Sequence, residues 1–446
     1  MDFTTITTLL AEKNYYRIKE ILSNSQVADI ADFLSMLDGP TALLVFRLLP
    51  KDMAADVFSY LSPTRQTQLS TLVNDKELQQ ILADLYFDDK IDFLEEMPAN
   101  AVKRILQNTS EKERKLINQF LNYPEDSAGS IMTIEFVDLK KEMLVRDALA
   151  RIRETAPDKE TIYTCYVTDA NRVLEGILSL RDLVIAEPEQ KIGDIMRREI
   201  IYANTHDDKE DVAELVKKYD LLAIPITDNE KRLVGIVTVD DILDVIEDEN
   251  TEDFHKMAAL SPTDMEYLES GVFAMARKRI IWLLVLMLTA TFTGYIIRNY
   301  QSTLEKAVAL TVFIPMLMDT GGNAGSQSST LIIRSLALNE ISFRNIAQVI
   351  WKEFRVSLVV GLALAVVNFL RVLLIENYSI VIAGIVSLTL IFTVITAKLV
   401  GSSLPILAKQ LKIDPAIMAS PLITTIVDTI SLIIYFSLAS RILLPA

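Results

Sequence analysis

The chain has 446 residues, half of them apolar, with a formal net charge of −16. Residues 1–270 hold 53 acids against 30 bases, while residues 271–446 hold 7 against 14. An acidic, soluble-looking part therefore precedes an apolar, weakly basic part that reads as membrane-embedded, and nucleic acid is excluded as a partner. One cysteine, Cys165, and two histidines, His206 and His255, exclude a disulfide framework and a Cys/His zinc cluster. Any bound metal must use oxygen ligands, which favours hard cations such as magnesium or calcium. No Gly-Lys-Ser/Thr phosphate loop supports a nucleotide-driven pump, and Met1–Leu10 lacks the basic start of a secretory leader.

Residues 1–127 predict an all-α superhelical domain of short amphipathic helices. Pro40, Pro50, Pro63 and Pro98 fall where helices stop and restart. A helical interaction module is the plain reading. Asp88, Asp89 and Asp92 cluster in it, and Asp88 and Asp92 share a face at which a counter-cation would relieve repulsion.

Residues 128–250 contain an internal repeat. Ile131-Met132 recurs as Ile195-Met196, and Gly176-Ile177 as Gly235-Ile236. Each copy predicts an extended stretch, a helix, a strand (163–168 and 223–227), a turn, a second strand and a final helix. Asp169-Ala-Asn171 and Asp228-Asn229 supply the turns. The pattern resembles an α/β tandem pair of cystathionine-β-synthase (CBS) domains, which sense ligands or mediate dimerisation. That resemblance implies nucleotide binding at Ser/Thr-x-x-Asp motifs, here Ser179–Asp182 and Thr238–Asp241. Arg181, Asp182 and Asp241 become candidate contacts for ATP or another adenine nucleotide.

Residues 240–270 read as an acidic connector, and 251–278 as the connector with a plug helix. Asp240, Asp241, Asp244, Glu247, Asp248, Glu249, Glu252 and Asp253 crowd together, answered nearby only by Lys256. Such a run is either a solvated face or a cation-binding one. Ser261-Pro262 reads as an N-cap followed by a first-turn proline, opening a plug helix over about 262–278. Residues 279–446 then predict five membrane helices, at about 280–298, 305–336, 350–375, 380–408 and 415–442. The balance of Lys and Arg places the soluble domains in the cytoplasm and the C-terminus outside the plasma (inner) membrane.

Two spans carry polar residues. In the second, FIPMLMDTGGNAGSQSSTLIIR, Pro315, Gly321, Gly322 and Gly325 are expected to interrupt the helix, though glycines alone would also fit close helix approach, with Asp319, Asn323, Ser326, Gln327 and Thr330 on one face. In the fifth, Thr424, Asp428, Ser431 and Tyr435 form one polar stripe. An acid at mid-membrane costs roughly 2.5–3.5 kcal/mol, so Asp428 needs a function. The two readings are a bundle contact and a cation site on a water-filled path.

GGNAGSQSSTLIIR, DPAIMASPLITTIVDTISLIIY and the CBS pair with its acidic connector together resemble the MgtE family of magnesium channels and transporters. The resemblance runs over nearly the whole chain. It implies a homodimer in the lipid bilayer, with the second and fifth helices lining one pore, and no enzymatic activity. Asp428 falls on the family's pore carboxylate, with Ser420 and Thr424 narrowing the path and Gly321, Gly322 and Asn323 beside it. Asp319 departs from the small residue expected there, and either adds a ring of charge or forms a buried hydrogen bond. The family further implies that cytoplasmic Mg²⁺ holds the pore closed through Asp56, Asp88 and Asp92, through Asp208, Glu210, Asp220, Asp241, Asp244, Glu249, Glu252 and Asp253, and through Asp414. Competing readings are a transporter of the same architecture for Co²⁺ or Mn²⁺, an ion exchanger, and a CBS-regulated membrane enzyme, for which no catalytic constellation is found.

Overall fold

The computed structural model describes residues 1–261, 267, 271–418 and 420–443. The chain divides into two compact units, Met1–Glu247 and Asp248–Ala446.

The first unit opens with ten short helices: α1 (Phe3–Ala11), α2 (Tyr15–Leu22), α3 (Val27–Ser35), α4 (Gly39–Phe46), α5 (Lys51–Ser59), α6 (Pro63–Leu72), α7 (Asp75–Asp84), α8 (Phe87–Glu95), α9 (Ala99–Gln107) and α10 (Glu111–Phe120). The prolines start helices rather than end them. Pro40 and Pro63 lie in first turns, and Pro50 and Pro98 are N-caps. A first-turn residue has no intrahelical partner for its N–H, so proline loses nothing there. Each helix is too short to be stable alone and is held by the face it buries. Ile18, Ile30, Phe33, Val45, Phe58, Ile91, Phe93 and Phe120 are buried in one continuous core.

The repeat forms two three-stranded sheets. The first holds β1 (Val137–Leu139), β2 (Thr164–Thr168) and β3 (Leu174–Ser179); the second holds β4 (Ala203–Asn204), β5 (Ala223–Thr227) and β6 (Leu233–Thr238). In each, the first strand is parallel and the third antiparallel to the middle one. Helices α11 (Val145–Thr155), α12 (Leu180–Ile185), α13 (Ile192–Ile195), α14 (Lys209–Tyr219) and α15 (Val239–Met257) complete the pair. The lead segment of each copy crosses to the other. Thr133 exchanges backbone hydrogen bonds with Ile236 (2.8 and 2.9 Å), and Arg197 does so with Ile177 (2.8 and 3.0 Å). The repeated Met and Gly meet at these crossings: a Cβ on Gly235 would lie 2.8 Å from Met132 Sδ, and one on Gly176 2.5 Å from Met196 Sδ. Glycine is required by that close approach. The copies are thus interlocked, which the repeat spacing alone does not reveal.

The second unit begins within α15. Residues 262–266 and 268–270, which include much of the expected plug helix, lie outside the described residues. Helices α16 (Val272–Asn299), α17 (Gln301–Lys306), α18 (Ile314–Ala337), α19 (Ile346–Leu370), α20 (Ile380–Gln410) and α21 (Ser420–Leu443) follow. Segments containing α16, α19, α20 and α21 are long and apolar enough to cross a membrane. α18 is the fifth long helix and carries more polar residues. The second span differs from expectation. It starts at Ile314, after a 3₁₀ turn at Val308–Phe313, which puts Pro315 in the first turn, where its missing N–H costs nothing. The glycines do not interrupt it: α18 is continuous, and its glycines let other helices approach. A Cβ on Gly321 would lie 2.8 Å from Thr393 Cγ2 and 2.9 Å from Val427 Cγ1; one on Gly322 would lie 2.8 Å from Thr424 Cγ2.

Candidate ion path and acidic sensor cluster

Six carboxylates gather in the first unit. α8 supplies Asp88, Asp89 and Asp92, the start of α15 supplies Asp241, and the loops flanking β1 and β2 supply Glu135 and Glu160. Asp88 is only 7% exposed, and its Oδ1 is buried without a hydrogen-bond partner. Burial, then the charge of Asp89, pushes the Asp88 carboxyl up to about 7. Burial, then Asp88, raises Asp241 to about 7 and Glu160 to about 9. Burial, then Asp241, raises Asp89 to about 6; Asp92 is pushed well up by burial and Asp88. Mutual repulsion of this kind favours uptake of a positive charge.

Hard oxygen donors of this kind suit a divalent cation. Among the described residues, however, no three Asp, Glu, His or Cys side chains converge as a ready-made ligand set.

The other predicted acids have separate roles. Asp56 is exposed on α5, and its field reaches Asp89. Asp208 caps α14 by accepting from Glu210 N at 2.9 Å, and Asp220 ends the same helix at φ 51°. Asp208, Glu210 and Asp220 are not among the principal charges acting on the six-acid cluster. In the second unit, Lys256 pairs with Glu252 (2.5 Å) and with Asp414 (2.7 Å). Asp414 also accepts from Ala416 N at 2.8 Å, so this acid already holds a cation. Burial and Asp414 push the nearby Asp253 carboxyl up. Asp244 and Glu249 lie on α15 between the two groups.

At the nucleotide motifs, Ser179 Oγ accepts from Asp182 N (3.1 Å) and Asp182 accepts from Ser179 N (2.9 Å), a capping box that starts α12 beside Arg181. Asp241 accepts from the Thr238 hydroxyl at 2.5 Å.

In the membrane unit the polar residues of α18 fall into two sets. Asp319, Asn323, Gln327 and Thr330 are exposed in a row, whereas Gly321, Gly322, Gly325, Ser328 and Ser329 face inward. Asp319 is exposed in the single chain. Asp428 on α21 is half-buried; its Oδ1 is enclosed without a hydrogen-bond partner, and Asp319 is within electrostatic reach. The expected stripe on α21 divides. Tyr435 is fully buried and donates to Leu310 O at 2.8 Å, and Ser431 is buried as well, so these two hold the bundle together. Thr424 stays half-buried above Asp428, its hydroxyl turned to Pro421 O at 2.9 Å. The side chain of Ser420 lies outside the described residues.

Comparison with known proteins matches residues 314–438 to a divalent cation transporter family model, MgtE. Residues 25–126 match the MgtE intracellular N domain, and 128–189 and 192–248 match CBS domains. The magnesium transporter MgtE of Thermus thermophilus is 39% identical over 98% of this chain and 97% of its own. The chain belongs to the MgtE family of magnesium transporters. The Bacillus subtilis magnesium transporter MgtE is 34% identical over 95% of this chain and 96% of its own. The crystal structure of the cytosolic domain of the Mg²⁺ channel MgtE in complex with ATP covers 55% of this chain and 99% of that one, at 36% identity and a TM-score of 0.53. Membership makes this MgtE chain a multi-pass membrane transporter and not an enzyme; two relatives named as dehydrogenases and one named as an acetyltransferase match 28%, 17% and 30% of it. Glu135 and Glu160 are missed in the sequence, because single glutamates in separate loops give no spacing signal.

Proposed function

We propose that the chain carries Mg²⁺ along the polar faces of α18 and α21, with Asp428 holding the ion, and that it works as a homodimer. The observation that carries this reading is the row Asp319, Asn323, Gln327 and Thr330, exposed on a membrane helix beside a carboxylate with an orphaned oxygen. Such a row is expensive against lipid and needs water or a second copy opposite it. Two Asp428 side chains related by a dyad would hold a largely hydrated ion through its water shell. Binding of that kind is weak enough for release. Thr424 narrows the same path, and Gly321, Gly322 and Asn323 bring α18 close to it; Ser420, one turn before Thr424 in sequence, is a further candidate. The membrane potential drives entry by about 2.3 kcal/mol per unit charge per 100 mV, and about twice that for a divalent ion.

Cytoplasmic Mg²⁺ closes the path. Asp88, Asp92 and Asp241, joined by Asp89, Glu135 and Glu160, take up the ion in the first unit. Asp244, Glu249, Glu252, Asp253 and Asp414 respond in the second. Asp56, Asp208, Glu210 and Asp220 add exposed sites of lower affinity. The soluble domains lie in the cytoplasm and the C-terminus outside. A nucleotide such as ATP binds at Arg181, Asp182 and Asp241; the ATP complex named for the structural neighbour supports this.

The test is Mg²⁺ uptake into proteoliposomes. Asp428→Asn keeps the size of the side chain and removes its charge. Uptake is expected to fall to background, and wild-type uptake by this variant would overturn the assignment.

A further inference from the structure

The membrane unit contains a second set of ionisable groups that the ion path does not use. Lys398 lies on α20, twelve residues from Gln410 and only 6% exposed. Its Nζ donates to Ser328 Oγ on α18 at 3.2 Å. That hydroxyl, fully buried, donates in turn to Glu353 Oε2 on α19 at 2.6 Å. A serine hydroxyl has one proton to give and lone pairs to accept, so the order Lys398 to Ser328 to Glu353 uses it fully. An ammonium and a carboxylate inside a membrane domain are each costly alone and tolerable together.

The chain of bonds joins three helices at one level. α18 packs Gly321 against Thr393 and Val427, then Gly325 against Ala397 O and Ile423. Ser328 continues the same inward face. It lies seven residues from Gly321, about 10 Å along the helix. Ser328 is also next in sequence to Gln327, about 100° around the helix from the exposed row. Fixing Ser328 therefore fixes where Asp319, Asn323 and Gln327 point. A second α20 lysine anchors the same helix, since Lys409 Nζ donates to Leu336 O at 3.0 Å.

We propose that Lys398, Ser328 and Glu353 are positioning residues: a charge-balanced staple that sets the rotation of α18 and so aims its polar row into the ion path. The proposal rests on the ion-path reading above. It requires that Lys398 and Glu353 act as a pair and that neither touches the ion.

The test uses the full-length transporter in proteoliposomes, with Mg²⁺ uptake normalised to monodisperse protein. Lys398→Met and Glu353→Gln each leave one uncompensated charge. Each is expected to lower maximal uptake about tenfold with an unchanged half-saturating Mg²⁺ concentration, and the double variant to recover to within about threefold of wild type. Ser328→Ala should behave like the single variants, and Ser328→Thr, which keeps the hydroxyl, like wild type. If the single variants fail to fold, the double variant and the Ser328→Thr against Ser328→Ala comparison decide the matter. A double variant no better than the worse single one would overturn the staple, as would wild-type uptake by both single variants. A shift in half-saturating Mg²⁺ beyond about threefold would place Lys398 in the ion path and overturn it equally. Every variant leaves Asp428 in place, so failure here is separate from failure of Asp428→Asn.

Discussion

Asp88 shows what burial and repulsion do to a single acid. Its carboxyl is pushed up to about 7, and so is that of Asp241, because burial and mutual repulsion oppose ionisation. An acid whose folded pKa exceeds its unfolded one binds the more protons when folded, so folding stability falls as pH rises between the two. For these groups that window runs from about 4 to about 7. Without divalent ions, amides of α8 in the full-length protein should exchange faster at pH 7.5 than at pH 5.5, beyond the intrinsic pH effect. Millimolar Mg²⁺ should remove that difference by supplying the missing positive charge. Asp88→Asn removes one repelling charge and is expected to stabilise the divalent-free protein by about 1–3 kcal/mol while blunting its response to Mg²⁺. A variant as sensitive to Mg²⁺ as wild type would exclude Asp88 from the site.

At the scale of the element, α18 joins two demands in one helix. Its inward glycines admit α20 and α21, and its outward row carries the polar side chains. Gly321→Ala would drive a methyl against Thr393 and Val427, an overpacking worth about 1–3 kcal/mol, and should reduce uptake strongly. Gly294→Ala on α16 meets nothing within 4 Å and should leave both stability and uptake near wild type. Thermal unfolding in detergent, paired with uptake, checks the contrast. The polarity of α18 is legible in the sequence because Asp319, Asn323 and Gln327 recur at helical spacing; its glycines leave a break and a close contact both open, because composition cannot separate the two. Strands β2 and β5 were legible from their apolar runs and turn residues. The exchange of Met132 and Met196 between copies was not, since a repeat has the same spacing whether its copies pack separately or interlock. Asp428 stood out as a lone acid among apolar residues, whereas Lys398 and Glu353 are far apart in sequence and meet only through Ser328.

For the whole molecule the decisive feature is that α15 belongs to both units. Its first turn carries Asp241, in the acid cluster of the first unit, and its last turn carries Lys256, paired with Asp414 just before α21 in the second. The two residues are fifteen positions apart in the same helix. Order gained in the first turn of a helix is expected to favour order in the turns that follow. Binding of Mg²⁺ at Asp241 and Asp88 should therefore stiffen α15 and the segment after it, and by reciprocity a change at Lys256 and Asp414 should alter the affinity of the distant acids. Limited proteolysis of the full-length protein reads this directly. Cleavage between residues 250 and 275 is expected to slow in millimolar Mg²⁺. Asp241→Asn should abolish that protection even though the cleaved segment is unchanged. Lys256→Met frees Glu252 and Asp414 from their internal cation and should shift the Mg²⁺ concentration that gives half protection. Equal cleavage with and without Mg²⁺ in the wild-type protein would mean that α15 carries no signal, and the acid cluster would then be a local feature of the first unit alone.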